Sequence, residues 1–390
     1  MTIAERERDA FFHTYKRLPL DIDRGEGVYL FDKSGNRYLD LFGGLAVNAL
    51  GYAHPGVVRA IHEQSKRFIH LSNYFVTDAA LELAELLRKH TGFAKVFFSN
   101  SGTEGIEGAI KIARLWGSTR EKTEIVSFTN AFHGRTYGAL SMMDRVKYRS
   151  GFEPFLGNFS ILPFNDPAAL NLSDGTLAVF LEFIQGEGGI VPASEEFVAA
   201  IAGLQRRHGF LVVADEIQSG IGRTGRPFAF SHYDISPDIA VVAKPLGGGL
   251  PIGAILGSAA VADVLDIGRH GTTFGGNPVS CAAGIVVMKE IFESGLMRNA
   301  ETSGTYFMKG LGDLREAFPS LVSAVRGKGL MIGVELRRPC DAVVAEMLRG
   351  GVLANCTNQN VIRIVPPLII TKEQIDEALR VMRSVFARLT

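Results

Sequence analysis

Three segments of the chain end in side chains that could do covalent or acid–base chemistry, and each of them follows an apolar run. The run FLVVA leads into Asp215, the run IAVVA leads into Lys244, and the run KVFFS leads into the polar residues NSGTE at 100–104. Ligands of open α/β sheets bind beyond the carboxyl ends of the strands. If these runs are strands of one sheet, all three segments are candidates for one site.

Asp215 and Lys244 are most informative as a pair. On neighbouring parallel strands, the carboxylate and the amine would face each other across one crevice. A lysine among apolar and glycine neighbours has its ammonium form destabilised by desolvation, which favours a nucleophilic amine that forms Schiff bases. Each residue alone has a simpler explanation, since charges often end strands where the chain meets water. Together they are two of the protein groups that pyridoxal phosphate requires.

The segment after KVFFS predicts an anion site. Ser101 and Glu104 have the spacing of a capping box, and Gly102 would let backbone N–H groups approach an anion at the positive end of the following helix. Such caps are common at purely structural helices, so this segment alone does not establish a phosphate site. With Asp215 and Lys244, it completes the set of groups that would hold the phosphate, the ring nitrogen and the aldehyde of pyridoxal phosphate.

The order of these motifs resembles that of the class III pyridoxal-phosphate aminotransferases of fold type I, and within them most of all the acetylornithine aminotransferase subgroup. The resemblance extends over nearly the whole chain. The matching segments are GGLAVNALGYAHP from Gly43, SNSGTEGIEGAIKIAR from Ser99, AFHGRT from Ala131, IQGEGG from Ile184, DEIQSGIGRTG from Asp215, AKPLGGGLPIGA from Ala243, HGTTFGGNP from His270 and VIRIVPPLII from Val361. It implies an α/β fold: a large domain around a mostly parallel sheet, and a smaller α/β domain built from the N- and C-terminal segments.

The resemblance implies a set of contacts with the cofactor. Lys244 would attach the cofactor covalently and move protons, and Asp215 would keep the ring nitrogen protonated. The other expected contacts are those of Gln218 with the phenolic oxygen, Ile217 and Phe132 with the two ring faces, Gly102 and Thr103 with the phosphate, and Thr273 with the phosphate bound by a partner subunit. The last contact implies a homodimer with shared active sites.

Two arginines and a glutamate are implied in substrate recognition. Arg135 would bind the distal carboxylate of the substrate, and Arg363 would bind the α-carboxylate of glutamate or 2-oxoglutarate, because a guanidinium binds a carboxylate with two parallel hydrogen bonds. Glu187 would cover Arg363 when the other substrate, which has no carboxylate at its reacting end, is bound. Thr272 of the neighbouring subunit and Tyr15 are further expected substrate contacts.

The implied reaction moves the terminal amino group of N-acetylornithine to 2-oxoglutarate, giving N-acetylglutamate 5-semialdehyde and glutamate. Gly44 favours an acylated amine, since ornithine aminotransferases tend to have tyrosine there. Phe183 departs from the usual proline of the E-P-I-Q-G-E pattern. Other terminal amines remain alternatives, namely succinylornithine, succinyldiaminopimelate, ornithine and 4-aminobutyrate. A catalytically silent relative is a more distant one, and Glu187 and Arg363 could form a merely structural ion pair.

Composition excludes several other classes of protein. The chain has 390 residues, 46% hydrophobic and 21% charged, which predicts a folded core over more than one domain. Its 41 basic residues balance 41 acidic ones, so no net charge favours nucleic acid or an anionic membrane. The composition therefore favours a small-molecule partner over nucleic acid or a membrane, and the resemblance implies that the small molecules are amino-acid and 2-oxo-acid substrates.

The cysteines and histidines indicate neither a disulfide nor a metal site. Cys281, Cys340 and Cys356 lack the C-x-x-C spacing, and no H-x-x-x-H or H-E-x-x-H segment occurs. The alternating acids and bases of MTIAERERDAFF do not resemble a signal peptide. These observations predict reduced thiols, no bound metal and a cytoplasmic location.

The predicted elements would place the reactive residues at one edge of a sheet. Short apolar runs that alternate with helical patterns are typical of a parallel sheet covered on both faces. We predict strands at 95–99, 124–128, 177–183, 211–214, 239–243 and 254–257, a hairpin within 27–41, a helix at 195–208, strands at 331–336 and 362–365, and a last helix after a capping box of Thr371 and Gln374. The predicted division is 1–50 and 296–390 for the small domain and 51–295 for the cofactor-binding domain.

Overall fold

The structure of the chain is a computed structural model that describes residues 3–390. Its helices are α1 (Ile3–Ala10), α2 (Gly43–Ala46), α3 (Pro55–Arg67), α4 (Asp78–Thr91), α5 (Gly102–Gly117), α6 (Tyr137–Ser141), α7 (Val146–Arg149), α8 (Glu195–His208), α9 (Pro278–Phe292), α10 (Leu296–Ala317), α11 (Asp341–Arg349) and α12 (Lys372–Leu389). Its strands are β1 (Ile22–Glu26), β2 (Tyr29–Asp32), β3 (Arg37–Asp40), β4 (Lys95–Ser99), β5 (Glu124–Phe128), β6 (Phe159–Leu162), β7 (Thr176–Leu181), β8 (Ile184–Gln185), β9 (Val191–Pro192), β10 (Leu211–Asp215), β11 (Ile239–Val242), β12 (Gly253–Gly257), β13 (Val322–Lys328), β14 (Met331–Leu336), β15 (Val352–Leu353), β16 (Asn355–Thr357) and β17 (Val361–Ile364).

A central seven-stranded sheet has the order β4-β12-β11-β10-β7-β5-β6. All neighbouring strands are parallel except β12, which runs antiparallel to β11 and to β4. Every residue of β7, β10, β11 and β12 is buried. Strands covered on both faces need apolar side chains at successive positions, which explains their continuous apolar sequences. The α/β class with a mostly parallel sheet is thus confirmed.

Both faces of this sheet are covered by apolar side chains. One buried cluster joins α5 residues such as Ile106 and Ile110 to one face, where Phe180 and Val213 also lie. The larger cluster covers the other face and continues into the C-terminal part of the chain, as far as Phe386 of α12. The sheet is therefore an inner layer, and only its strand ends are open to a ligand.

Two smaller sheets contain the terminal parts of the chain. The strands β1, β2 and β3 form an antiparallel meander that β15 joins in parallel to β3, through Val352↔Leu39 and Leu353↔Asp40. The second sheet has the order β13-β14-β17-β16 and is antiparallel throughout. The small α/β unit of the predicted fold class is therefore built from both ends of the chain. The exact domain boundaries stay a prediction.

Most strands of the central sheet occur where the apolar runs predicted them, within one or two residues. The predicted hairpin is present as β2 and β3, and the capping box at Thr371 has both of its hydrogen bonds. The strand β6 was not predicted. It lies at one edge of the sheet, and all four of its residues are only partly buried.

The expectation of three reduced cysteines is wrong for two of them. Cys340 and Cys356 form a disulfide, with Cα atoms 5.7 Å apart, and Cys281 is a buried free thiol. The two partners are brought together by α11 and β16, which could not be inferred from a separation of 16 residues. Among the helices of residues 3–390, none is both long enough and apolar enough to cross a membrane.

Candidate active site

A cavity of about 430 Å³ lies at the carboxyl ends of β4, β7, β10 and β11. The predicted neighbourhood of Asp215 and Lys244 is confirmed, since β10 and β11 pair in parallel with Asp215 opposite Val241. The lining residues that matter for chemistry are Ser101, Gly102, Thr103, Phe132, His133, Arg135, Glu182, Glu187, Asp215, Ile217, Gln218 and Lys244. Loops that follow several parallel strands thus meet at one edge of the sheet.

Asp215 is held in a fixed orientation by two hydrogen bonds. Its Oδ1 accepts from the backbone N–H of Ile217 at 3.1 Å, and its Oδ2 lies 2.8 Å from Nδ1 of His133. Burial opposes the charged form of His133, but the hydrogen bond to Asp215 and the charges of Asp215 and Glu182 outweigh it and raise the pKa of the imidazole. The buried Asp215 carboxylate therefore has a fixed orientation in which it could accept a hydrogen bond from a protonated ring nitrogen.

Glu182 connects the two loops on either side of the cavity. Its carboxylate accepts from the backbone N–H of Phe132 at 2.8 Å and from that of Gly186 at 3.1 Å. Burial, followed by the charge of Asp215, raises the pKa of Glu182 to about 7. The glutamate therefore positions the segment AFHGRT against the segment IQGEGG, even though Phe183 replaces the proline expected beside it.

Lys244 follows β11 and presents its amine to the cavity. Within residues 3–390 the amine has no hydrogen-bond or ion-pair partner. Burial, and then the charge of Arg363, lower its pKa, although Asp215, Glu187 and Glu182 act in the opposite direction. The neutral amine is the form that attacks a carbonyl and accepts a proton, so this environment favours both functions.

The first turn of α5 has the predicted position but not the predicted cap. Oγ of Ser101 accepts from the N–H of Glu104 at 3.3 Å, whereas the Glu104 carboxylate binds the backbone N–H and the side-chain amide of Asn100 at 2.8 and 2.9 Å. The reciprocal capping box is therefore wrong, because Asn100 offers two donors to one oxygen. Gly102 and Thr103, whose N–H groups belong to the turn that a helix leaves without intrahelical acceptors, line the cavity.

The side chains expected around the cofactor ring also reach the cavity. A Cβ at Gly102 would lie 2.7 Å from Cδ1 of Ile217, so only glycine permits this close approach. Phe132 stacks edge to face with Tyr148 at 5.6 Å, and the guanidinium of Arg135 lies 3.9 Å from the Tyr148 ring centroid. Aromatic faces attract guanidinium groups, so Tyr148 orients Arg135 at the cavity wall.

Glu187 and Arg363 form an ion pair in which Arg363 Nη1 donates to Oε1 of Glu187. Arg363 is only 2% exposed and also donates from Nε to Oδ1 of Asn355 at 3.1 Å and from Nη1 to Oε1 of Gln218 at 3.4 Å. Burial would raise the pKa of Glu187, but the charge and hydrogen bond of Arg363 outweigh it, and the pKa is lowered. The pair predicted from distant motifs therefore forms, and Gln218 contacts its arginine.

Three predicted residues do not line the cavity of the single chain. Oγ1 of Thr272 accepts from Nδ2 of Asn100 at 3.1 Å, while Thr273 is exposed. Tyr15 is 72% exposed and contacts Arg17 instead. Gly44 has a φ of 61°, which favours glycine whatever the substrate. The roles of Thr272, Thr273 and Tyr15 stay predictions.

Several functional side chains had weak or no signals in the sequence. His133 lies in the matching segment AFHGRT, but nothing in that segment indicates its hydrogen bond to Asp215. The residues Arg145 and Thr357, which contact the backbone of Glu187, had no signal, since neither belongs to a matching motif. Their positions depend on long-range packing.

The residues present fit pyridoxal phosphate. A helix N-terminus, a buried carboxylate and an unpaired amine all line one cavity, and they match the phosphate, the ring nitrogen and the aldehyde. The cavity volume of about 430 Å³ lies within the range of about 300–1,000 Å³ usual for small-molecule sites. Ile217 and Phe132 supply apolar surface for a planar ring.

Comparison with known proteins agrees with this donor set. The model of the family described as Aminotransferase class-III matches residues 11–386. The acetylornithine aminotransferase of Caldanaerobacter subterraneus subsp. tengcongensis is 43% identical over 389 residues, covering 98% of each chain. The crystal structure of the acetylornithine aminotransferase from Elizabethkingia anophelis is 33% identical, with a TM-score of 0.89 over 99% of this chain and 98% of that one.

A second structural relative has a different name. The ornithine aminotransferase from Toxoplasma gondii is 31% identical, with a TM-score of 0.93 over 99% of this chain and 94% of that chain. The fold is thus shared by relatives whose names differ in substrate. From the family match, the near-complete coverage and the donor set of the cavity, we conclude that this chain belongs to the class III aminotransferases and is a pyridoxal-phosphate-dependent aminotransferase.

Proposed function

We propose that the enzyme transfers the terminal amino group of N-acetylornithine to 2-oxoglutarate, giving N-acetylglutamate 5-semialdehyde and glutamate. The observation that carries the proposal is the buried pair of Glu187 and Arg363 beside Lys244, together with Arg135 at the cavity wall. Several relatives that cover nearly the whole chain are named acetylornithine aminotransferase. The cations Arg135 and Arg363, and the anion Glu187 that could leave Arg363, suit a site that accepts two substrates of different shape.

Different residues of the cavity would act on the cofactor and on the substrates. When bound, pyridoxal phosphate supplies an aldehyde for the amine and a ring that withdraws electrons from the reacting carbon. Asp215 would hold the proton at the ring nitrogen, and the first turn of α5 would bind the phosphate. Lys244 would accept the proton from the reacting carbon of one substrate and return it during reaction of the other.

The anion that covers Arg363 would change with the substrate. A terminal amine brings no carboxylate to the reacting end, and an uncovered Arg363 would then be a buried charge without a partner, which is strongly unfavourable. Glu187 supplies the partner in that half-reaction. The α-carboxylate of glutamate or 2-oxoglutarate would replace it in the other, while Arg135 binds the distal carboxylate of either substrate.

The test measures kcat/KM of each half-reaction separately by the absorbance of the bound cofactor. Glu187→Gln should impair acetylornithine about tenfold and glutamate much less, since the charged hydrogen bond is lost only where Glu187 is used. Arg363→Ala should impair glutamate by about a hundredfold and acetylornithine less. Glu82→Gln, at an exposed ion pair with Lys289 at 2.7 Å, is the matched control and should change neither.

Two results would count against the proposal. Equal losses with both substrates in both variants would leave Glu187 and Arg363 as a structural ion pair. A panel of terminal amines should show a preference for acetylornithine over succinylornithine, succinyldiaminopimelate, ornithine and 4-aminobutyrate. A stronger reaction with another amine would keep the half-reaction scheme and replace the substrate.

We also propose that the enzyme is a homodimer with shared sites. The segment after α3 exposes Ile69, Tyr74, Phe75 and Val76, and Tyr74 is 96% exposed. Apolar surface of this kind marks interaction sites. Nδ2 of Asn73 donates to the carbonyl of Thr272 at 2.9 Å, which joins this segment to the loop that contains Thr273.

Subunit mixing tests the shared site. Lys244→Ala and Thr273→Ala subunits should recover activity when they exchange, because one site of each heterodimer would be intact. Sedimentation should show a dimer. A stable monomer with full activity, or no recovery after proven exchange with an impaired Thr273→Ala enzyme, would reject the shared site.

A cytoplasmic location is the last part of the proposal. It is supported by the small polar substrates of the proposed reaction. The Cys340–Cys356 disulfide points the other way, since disulfides are rare in reducing compartments. Fractionation of cells that express the natural protein measures the location directly.

A further inference from the structure

The turn that contains Glu187 is held by side chains from distant parts of the chain. It connects β8 to β9, and the carbonyl oxygen of Glu187 accepts from Nη2 of Arg145 at 2.8 Å and from Oγ1 of Thr357 at 2.9 Å. A carbonyl oxygen has two lone pairs, so both are used. Arg326 donates further to the carbonyl of Gly189, from Nη2 at 2.8 Å. The backbone of the turn is therefore fixed at Glu187 and at Gly189, while the Glu187 side chain has no hydrogen-bond partner other than Arg363 among residues 3–390.

The strand β16 also holds the other member of the ion pair. In its antiparallel pairing with β17, Asn355 lies opposite Arg363 and Thr357 lies opposite Val361. Asn355 and Thr357 are two residues apart, so their side chains point to the same face of the strand. Oδ1 of Asn355 accepts from Nε of Arg363 at 3.1 Å. One short strand thus contacts the backbone of Glu187 and the guanidinium of Arg363.

The contact from Asn355 restricts how Arg363 can bind a carboxylate. A guanidinium has five N–H donors, and a carboxylate can bind either along the edge with Nε or across the two terminal nitrogens. Since Nε is occupied, the terminal nitrogens are left for the carboxylate. Glu187 and the substrate carboxylate would then compete for the same edge of the guanidinium.

We propose that Thr357 is a positioning residue that fixes the backbone of Glu187, so that the change between substrates requires only a rotation of the Glu187 side chain over a stationary Arg363. Asn355 would hold the Arg363 guanidinium in place through the hydrogen bond from its Nε. The inference rests on the proposed function, because it presupposes that Glu187 covers Arg363 for one substrate only. It assigns specificity to β16, which does not line the cavity.

The test compares Thr357→Val, which removes the hydroxyl at nearly constant shape, with Thr357→Ser, which keeps it. Loss of one neutral hydrogen bond to the carbonyl should lower kcat/KM of the acetylornithine half-reaction about fivefold, with less than about a twofold change for glutamate. Thr357→Ser should restore the ratio. Thr305→Val, which removes an exposed hydroxyl bonded at 2.9 Å to the carbonyl of Glu301 on α10, is the matched control and should change neither rate.

A second readout does not depend on turnover. Glu187 and Arg363 both act on the charge of the Lys244 amine. If Glu187 covers Arg363 less well, the surroundings of Lys244 become more positive, and the pH at which the bound cofactor changes its visible absorbance should fall. Thr357→Val should shift this pH in the same direction as Glu187→Gln, and Thr357→Ser should not.

A double-mutant cycle decides whether Thr357 acts through Glu187. In the Glu187→Gln background, Thr357→Val should have little further effect on the acetylornithine half-reaction, since residues that act together are not additive. Equal losses on both substrates, or full additivity, would overturn the inference. If Thr357→Val fails to fold, Arg145→Gln removes the other donor to the same carbonyl and should give the same pattern.

The failure of this inference can be told apart from failure of the proposed function. If Glu187→Gln lowers kcat/KM unequally for the two substrates and Thr357→Val does not, only the positioning role of Thr357 is rejected. If Glu187→Gln shows no separation, the substrate switch and the role of Thr357 fall together.

Discussion

The cavity has a cofactor end, with Asp215 and Lys244, and a substrate end, with Glu187 and Arg363, and the two ends are formed by different structural elements. At the cofactor end, Asp215 and Lys244 follow adjacent parallel strands, and His133 and Glu182 fix the loops around them with short hydrogen bonds. At the substrate end, Glu187 lies in a turn and pairs with an arginine that is 176 residues away in the chain. The cofactor end is formed by loops at the strand ends of one sheet, whereas the substrate end joins the turn between β8 and β9 to β16 and β17 of a different sheet.

This difference matches what each end has to do in a transaminase. The proton transfers and the cofactor are the same in both half-reactions, so their residues can be preset. In the proposed reaction the two substrates differ in whether a carboxylate lies beside the reacting carbon, so the anion over Arg363 would have to be removable. Variants at the cofactor end should therefore affect both substrates equally, and variants at the substrate end should separate them.

The largest effect is expected for Lys244→Ala. Loss of the amine removes both the covalent attachment and the acid–base group, so both half-reactions should fall by about four orders of magnitude. The visible absorbance of the bound cofactor should change as well. Lys289→Ala on the surface of α9 is the control. Repeated turnover of the Lys244 variant at the wild-type rate would remove the amine from the mechanism.

The next largest loss of activity is expected for Asp215→Asn. A neutral amide cannot hold the proton at the ring nitrogen, so the chemical step should slow by about two to three orders of magnitude, equally for both substrates. The pKa of His133 should fall because its hydrogen-bonded charge partner is lost, and an NMR titration of the imidazole measures this. Asp266→Asn, at an exposed site, is the control. A loss that differs between substrates would break the proposed distinction between the two ends.

The disulfide that links Cys356 of β16 to Cys340 should stabilise the substrate end. It closes a loop with a sequence separation of 16, so replacing Cys340 and Cys356 by serine should lower the free energy of unfolding by about 3 kcal/mol. Denaturant titration with and without reductant measures the loss, and the double variant should not respond to reductant. Thiol titration of the unfolded wild type without reductant should find one free thiol, and three would disprove the pairing.

The smallest predicted effect is a change with pH in the free energy of unfolding, caused by Glu216, which follows Asp215 at the cofactor end. Burial raises the pKa of Glu216 to about 7, from an unfolded value of 4.5. A raised folded pKa gives stability that is fully present below the unfolded pKa and is lost as the pH rises through the folded one. The free energy of unfolding of the wild type should therefore lose about 2 kcal/mol from this group between about pH 5 and 7.

Glu216→Gln should remove this loss, because the amide does not titrate. The comparison is the pH slope of the free energy of unfolding for the variant, the wild type and Glu316→Gln, an exposed control on α10. The same slope in all three proteins would show that Glu216 is ionised throughout this range.

Some structural details could be predicted from local sequence and others could not. The strands β4 and β5 and the helix α8 occur at the predicted residues, because continuous apolar runs and capping residues act within a few positions of the chain. The capping box at Ser101 was wrong because Asn100, one residue earlier, competes for the same carboxylate. The pairing of Cys340 with Cys356 was missed because it depends on how α11 lies against β16.

The sequence by itself determined the reactive groups and the order in which they occur. Asp215, Lys244 and Gly102 follow apolar strands, and strand ends of one parallel sheet necessarily share an edge. Only the tertiary structure decided which side chains hold those groups in place. His133 meets Asp215 across 82 residues and Thr357 meets Glu187 across 170, and such contacts depend on the packing of whole elements rather than on local spacing. Short motifs therefore indicate which residues react, while the contacts that position those residues depend on the tertiary fold.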